Sequence, residues 1–403
     1  MIIGIDASRA NLVRKTGTEW YSFYLIKNLA EIDKTNTYWL YLNQPPRAEL
    51  QEAVKNNPNF SFKLLKWPFL SFWTLGRLTL EMLYRRPDVL FIPAHTLPLF
   101  GPKHTVNTIH DIAFVSERNL YRAVEAKTNR KGTRKLINIF VKLLTLGRYR
   151  SDSVDYLYWS TAFALRHAEK IIAVSEFTKQ DIINLYPKTV PAKIVVVHNG
   201  YNDLYRRLPD NPEKTKAVLD KYALEAPYFL YVGRLEKKKN ISTLVESFAF
   251  LKENHPEIDA KLVLIGDAGF GFDEIKYTIE EFDLNNQVIM PGWVAEEDLP
   301  CIMNAAAAFI FPSKHEGFGI PVLQALACGI PTAVSDIPVL REIAGDSVLY
   351  FDQNDKRAIA FALARILVDK DLRQNLVAKG LERVKEFSWR RCAEETLAIL
   401  ESL

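Results

Sequence analysis

The chain has 403 residues, 48% hydrophobic and 25% charged, a globular composition long enough for two domains of about 200 residues each. Its three cysteines, Cys301, Cys328 and Cys392, are odd in number and lack CxxC spacing, which argues against a disulfide framework or structural zinc and for a reducing cytosol. The opening MIIGIDASRA has neither the basic start nor the apolar length of a signal peptide, and no stretch approaches the ~20 apolar residues of a membrane span.

The net charge of +4 is unevenly spread. Residues 1–200 carry 28 Lys and Arg against 16 Asp and Glu, and the rest carries 24 against 32. A basic half joined to an acidic half points to two domains with different partners. The basic half could meet a membrane surface, an anionic acceptor or a nucleic acid, or be a solvated surface with no specific partner.

In chain order, MIIGIDA reads as an apolar strand. Lys15-Thr16-Gly17-Thr18 reads as a small flexible loop before a helical pattern from Glu19 to Ile32. Strand-like runs follow at 38–42, 60–65, 89–92, 105–109, 170–174 and 193–197, several separated by helical segments. Such alternation predicts βα units and a mainly parallel, doubly wound sheet. His110-Asp111 stands at the carboxyl end of the run 105–109. A lone His is more often structural than catalytic; its place beside Asp at a strand end brings the two readings level.

Two basic segments interrupt the pattern. Residues 118–158 interleave cations with Leu136, Ile139, Phe140, Leu143, Leu144 and Leu146, and residues 63–86 carry Trp67, Phe69, Leu70, Phe72 and Trp73. Both suit contact with anionic lipid, and both also read as ordinary helices with an apolar core face. Nucleic-acid motifs are lacking.

The seam falls near residues 199–225, where Asn199-Gly200, Pro209, Asn211 and Pro212 break structure. Beyond it, strands at 228–232, 261–265, 287–290, 307–311 and 331–335 are each followed by a helical pattern, and a last helical pattern at 389–403 is expected to pack back across the seam. In VGRLEKKKN the strand ends at Gly233, and Arg234 and Lys239 precede a helix starting near Ile241. This is an anion site, since Arg can grip a phosphate with two hydrogen bonds. In EGFGIPVLQALACG, Glu316, Gly317 and Gly319 stand between a buried strand and a helical pattern from Ile320 to Cys328. The unpaired amides of a helix start favour phosphate, and Gly lets the backbone come close. In a doubly wound sheet both loops lie at one carboxyl edge, where they could hold a diphosphate. Neither fits a P-loop, and there is no GxGxxG after a strand, no HExxH and no GxSxG.

Taken in order, GIDA, the Gly17 loop, HDIAF, IIAVSEFTKQDI, VVVHNGY, YVGRLEKKKN, LVLIGD, GWVAEEDLP and FPSKHEGFGIPVLQALACGIPTAVS make the chain similar to the family-4 retaining glycosyltransferases of the GT-B fold. The resemblance implies an α/β architecture of two doubly wound Rossmann-like domains facing a central cleft. It gives an acceptor-binding domain at 1–202 with a basic insertion about 118–158, a donor-binding domain at 203–385, and a helix at 386–403 crossing back. It implies metal-independent transfer of a hexose, with retained anomeric configuration, from a GDP-, UDP- or dTDP-linked sugar to a glycan or lipid-linked glycan. A place in polysaccharide biosynthesis follows, with no cofactor; the basic, aromatic-rich first half adds the expectation of a cytoplasmic protein able to make peripheral contact with an anionic membrane, and no nucleic acid is expected as partner.

Position by position, Arg234 and Lys239 match the pair that neutralises the diphosphate, with Gly233 before them. Glu316 matches the acid that holds donor-sugar hydroxyls. Gly317, Phe318 and Gly319 match the loop whose amides meet the sugar and distal phosphate. His110 matches the His near the reacting sugar, and Gly17 the loop that closes over the phosphates. One position departs: where the family has a second Glu for the ribose hydroxyls, this chain has Gln324, an amide that accepts more weakly than a carboxylate. That departure keeps open a non-catalytic nucleotide-sugar binding protein; a nucleotide-sugar epimerase on the same fold is the other alternative.

Overall fold

The computed structural model describes residues 1–67, 72–116, 153–209 and 211–403, so Phe69, Leu70 and all of the 118–158 segment before residue 153 lie outside the described residues. The chain forms two compact units, Met1–Gly200 with Ser388–Leu403, and Tyr201–Phe387.

The first unit is built on a seven-stranded sheet of order β3-β2-β1-β4-β5-β6-β7, every neighbouring pair parallel. Its strands are β1 (Ile2–Asp6), β2 (Thr37–Leu42), β3 (Phe60–Leu64), β4 (Val89–Ile92), β5 (His104–Ile109), β6 (Lys170–Ala173) and β7 (Ile194–Val196). Parallel strands need crossovers, which cover both faces, so central runs such as Val89–Ile92 are buried throughout.

The helix Gly17–Ile32 begins where it does because Thr16 and Glu19 close a capping pair: the Thr16 amide donates to the Glu19 carboxylate at 3.1 Å and its hydroxyl donates to the same group. Gly17 is therefore the first helical residue rather than part of a flexible loop, and Lys15 is buried in an ion pair with Glu49. The helix Trp389–Glu401 packs along Gly17–Ile32: Trp389 stacks on Tyr24 at 5.4 Å between centroids, and the Asn36 amide donates to Glu401 at 2.8 Å. Gly200 lies against this junction so tightly that a Cβ there would sit 2.1 Å from the Trp389 nitrogen. Only glycine fits.

The second unit has a six-stranded parallel sheet of order β10-β9-β8-β11-β12-β13. The strands are β8 (Tyr228–Val232), β9 (Lys261–Ile265), β10 (Val288–Gly292), β11 (Ala308–Phe311), β12 (Thr332–Ser335) and β13 (Leu349–Phe351). The three-residue β13 is an addition to the strands expected from sequence. From β8 the chain winds outward through β9 and β10, then returns to place β11 on β8's other side. The direction of winding reverses between β8 and β11, and at such a point the loops leaving the two carboxyl ends diverge and open a crevice. Among the described residues no helix is long and apolar enough to cross a membrane.

Candidate active site

The β8 and β11 loops leave the two strands that flank that reversal. Beyond Val232, the Gly233 amide donates to the Ile265 carbonyl at 2.9 Å. Gly266 has φ +145°, and a Cβ on it would lie 1.9 Å from the Gly233 carbonyl oxygen, so two bare backbones pass here. Arg234 is mostly exposed, its Nε 3.9 Å from Glu236. Lys237–Lys239 form a short 3-10 turn. Asn240, left-handed at φ 60°, opens the helix Ile241–Asn254 and donates its side-chain amide to the Gln353 carbonyl at 2.7 Å.

The loop after β11 is tied to this turn by the Lys314 amide, which donates to the Lys238 carbonyl at 3.1 Å. The Lys239 ammonium then pairs with Glu316, both side chains largely buried at 14% and 12% exposure, and stands 5.6 Å from the centre of the Phe311 ring. Gly319, at φ +108°, turns the chain into the helix Ile320–Ala327, whose second residue is Pro321. Proline is tolerated there because its missing N–H would have no helical partner. Gly317 is buried, and the Phe318 ring is buried edge-on to Phe387, 5.9 Å between centroids. Gln324 is half-buried in the helix's second turn. The structure thus gathers Gly233, Arg234, Lys239, Glu316, Gly317, Phe318, Gly319 and Gln324 in one unit, on loops and a helix leaving two adjacent strands.

Gly17 and His110 belong to the other unit. The His110 ring stands edge-on to Tyr21, 4.7 Å between centroids, and Tyr21 lies one turn beyond Gly17. The His110 Nε2 is 3.1 Å from the Pro93 carbonyl, which can only accept, so Nε2 carries the hydrogen and Nδ1 is left as an acceptor. Burial pushes the His110 pKa down to about 4, with Arg9 adding to the effect. His95 is pushed to about 4 by the same two causes. Both rings are neutral at neutral pH.

Sequence reasoning passed over several residues that shape these sites. The buried Tyr231 hydroxyl donates to the Arg234 carbonyl at 3.1 Å; burial and the charges of Glu316 and Glu236 raise its pKa well above the ordinary value, so it remains a donor. An aromatic in a strand reads as core, and no sequence signal marks its hydroxyl. Asp6, at the end of β1, accepts from the Ser8 hydroxyl at 2.6 Å and from the Trp73 indole at 3.0 Å. The signal for it was present: a carboxylate closing an apolar central strand.

The family model for glycosyl transferases group 1 matches residues 215–383, and that for Glycosyltransferase Family 4 matches residues 15–203. The chain is 34% identical over 260 residues to O-antigen chain mannosyltransferase B of Escherichia coli, covering 64% of this chain and 67% of that one. It is 27% identical over 259 residues to the serotype-specific mannosyltransferase WbdA of Escherichia coli, where the match covers 63% of this chain and 31% of WbdA, so it spans about a third of that relative. In fold it is similar to the sucrose-phosphate synthase of Thermosynechococcus elongatus, with TM-score 0.72 and 19% identity over 100% of this chain and 98% of that one. It is also similar to Anabaena HepE in complex with UDP-glucose, with TM-score 0.67 and 16% identity over 100% and 99%. The chain belongs to the family-4, group 1 glycosyltransferases and is a hexosyltransferase of the GT-B fold.

Proposed function

We propose that this enzyme transfers a hexose, with retention of configuration and without an essential metal, from a nucleotide-diphosphate sugar to a growing glycan or lipid-linked glycan. The observation that carries the reading is the Lys239–Glu316 pair at the reversal of the second sheet. It sets a cation for phosphate beside a carboxylate for sugar hydroxyls. Arg234 is exposed at the start of the same loop as Lys239, available to the same diphosphate.

The bond between the anomeric carbon and the phosphate oxygen breaks, and the acceptor oxygen bonds that carbon on the same face. The acceptor's proton passes to the departing phosphate oxygen. Charge grows on the diphosphate as it leaves, so fixed cations at Arg234 and Lys239 favour the transition state over the ground state. Those cations supply the charge that a metal supplies in other transferases. Glu316 accepts from hydroxyls of the donor sugar, and the amides of Gly317, Phe318 and Gly319 meet the sugar and distal phosphate. In the first unit the neutral His110 offers Nδ1 as an acceptor and Gly17 an amide at a helix start, the groups that the family resemblance assigns to a sugar hydroxyl and to phosphate. The mannosyltransferase relatives make mannose the first donor sugar to try, and HepE's complex supports a nucleotide sugar as donor. The basic first half supports work at the cytoplasmic membrane face on a lipid-linked acceptor.

The test is a panel of GDP, UDP and dTDP sugars assayed for thermal stabilisation and for slow donor hydrolysis. One donor is expected to stabilise the folded chain, and its hydrolysis to be lost in Glu316→Ala. If no nucleotide or nucleotide sugar shifts the transition, the reading is wrong. Co-sedimentation with vesicles tests the membrane step, which requires binding that rises with anionic lipid.

A further inference from the structure

We propose that Glu316 biases the site toward a nucleotide sugar and against the nucleoside diphosphate left after transfer, by competing with phosphate for Lys239. The inference rests on the nucleotide-sugar reading above and extends it to the exchange of product for substrate.

The two loops set up this competition. Glu316 is the ion-pair partner of Lys239, and both side chains are largely buried. The pair is mounted on backbone that is itself joined: the Lys314 amide donates to the Lys238 carbonyl, two residues before Glu316 and one before Lys239. The Phe311 ring stands on the ammonium as well, 5.6 Å from its centre. An anion drawn to Lys239 therefore meets the Glu316 carboxylate at the same ammonium. A second carboxylate adds to the field. Glu236, 14% exposed, lies 3.6 Å from the Lys238 ammonium and 3.9 Å from the Arg234 guanidinium. The cationic loop thus carries negative charge of its own, and with so little water between them, like charges a few ångströms apart repel strongly.

The two ligands meet that charge differently. In a nucleotide sugar each phosphate has one ionised oxygen, and the sugar brings hydroxyls that can donate to Glu316. The carboxylate gains new partners as it yields part of Lys239. A nucleoside diphosphate has a terminal phosphate whose second ionisation falls near pH 6. At neutral pH it brings about one further negative charge and no sugar hydroxyl. Glu316 then faces a dianion across a shared ammonium. Once the bond to the sugar has broken, the carboxylate retakes Lys239 and favours departure of the diphosphate. Affinity is tuned in this way without any contact to the base.

The experiment titrates GDP, GDP-mannose, UDP and UDP-glucose into the full chain and into Glu316→Gln, Glu316→Ala and Glu316→Asp. For the pair that binds, Glu316→Gln is expected to tighten the nucleoside diphosphate about tenfold. The nucleotide sugar should change by less than about threefold, because the amide oxygen still accepts from a hydroxyl. Glu316→Ala should also tighten the diphosphate but weaken the nucleotide sugar, while Glu316→Asp, which keeps the charge, gains no affinity for the diphosphate. In a Lys239→Ala background most of the gain from Glu316→Gln should vanish. Unchanged or weaker diphosphate binding in both neutral variants overturns the proposal. Equal tightening of the nucleotide sugar in Glu316→Gln overturns it too, as does a full gain without Lys239. A wild-type chain that binds none of the four ligands instead overturns the nucleotide-sugar reading itself.

Discussion

Lys239 and Glu316 form an ion pair across 77 residues of sequence, because β8 and β11 are neighbours and their loops leave the same edge. Both side chains are largely buried, so deleting either leaves a charge partly desolvated and alone. Lys239→Ala and Glu316→Ala should each destabilise the second unit, and the double variant should lose less than the sum, by about 1 kcal/mol. A urea-denaturation cycle on the three variants reads this directly; strict additivity would mean the pair contributes nothing.

On activity, Lys239→Ala is expected to lower kcat by about 10²- to 10³-fold with every donor, as for other fixed groups that meet developing charge. Arg234, more exposed, should cost less but act in the same direction. Turnover surviving both substitutions would remove the diphosphate from this loop.

Gln324→Glu should tighten donor binding by roughly 1 kcal/mol, about fivefold, by replacing a neutral acceptor with an ionised one. Calorimetry with the preferred nucleotide diphosphate measures it. A fall in turnover would show that the amide has work a carboxylate cannot do.

His110 and His95 give the first unit an acid-sensitive edge. Folded, both ionise near pH 4; unfolded, near 6.5. Above about pH 6.5 neither state is protonated and nothing is lost. As pH falls from about 6.5 towards 4, the unfolded chain takes up protons that the folded chain refuses, and stability declines by an amount on the order of 1–3 kcal/mol per ring. Arg9 deepens the effect at both rings while Asp111 opposes it. Unfolding midpoints compared at about pH 7.5 and 5 should separate, and the gap should narrow in His110→Asn with His95→Asn.

Gly200→Ala should cost several kcal/mol, since its Cβ must displace the backbone of Trp389. Gly17→Ala, with open space around its Cβ position, should leave stability nearly unchanged and report only on function. Thermal unfolding of the two variants distinguishes them.

Much of this was legible in the sequence because it is local. Alternating apolar runs and turn residues mark parallel strands, and polar residues just past a buried strand mark its carboxyl edge, which is how Arg234, Lys239, Glu316 and His110 stand out. What could not be read depends on which strands become neighbours. That Lys239 meets Glu316, that Tyr231 holds the Arg234 carbonyl and that Asp6 holds Trp73 are all consequences of strand order. Gly17 was misplaced for the opposite reason: a Gly between two Thr looks like a loop, but Thr16 and Glu19 cap a helix that starts there.

The helix Trp389–Glu401 lies along the helix Gly17–Ile32, in the unit that holds residues 1–200. On the ribosome this reverses the usual order. The segment Tyr201–Phe387 is contiguous and can finish folding as it emerges, whereas the unit begun first must wait, with the flank of Gly17–Ile32 uncovered, until the helix beyond Ser388 is synthesised. The half of the enzyme that starts first is the half completed last.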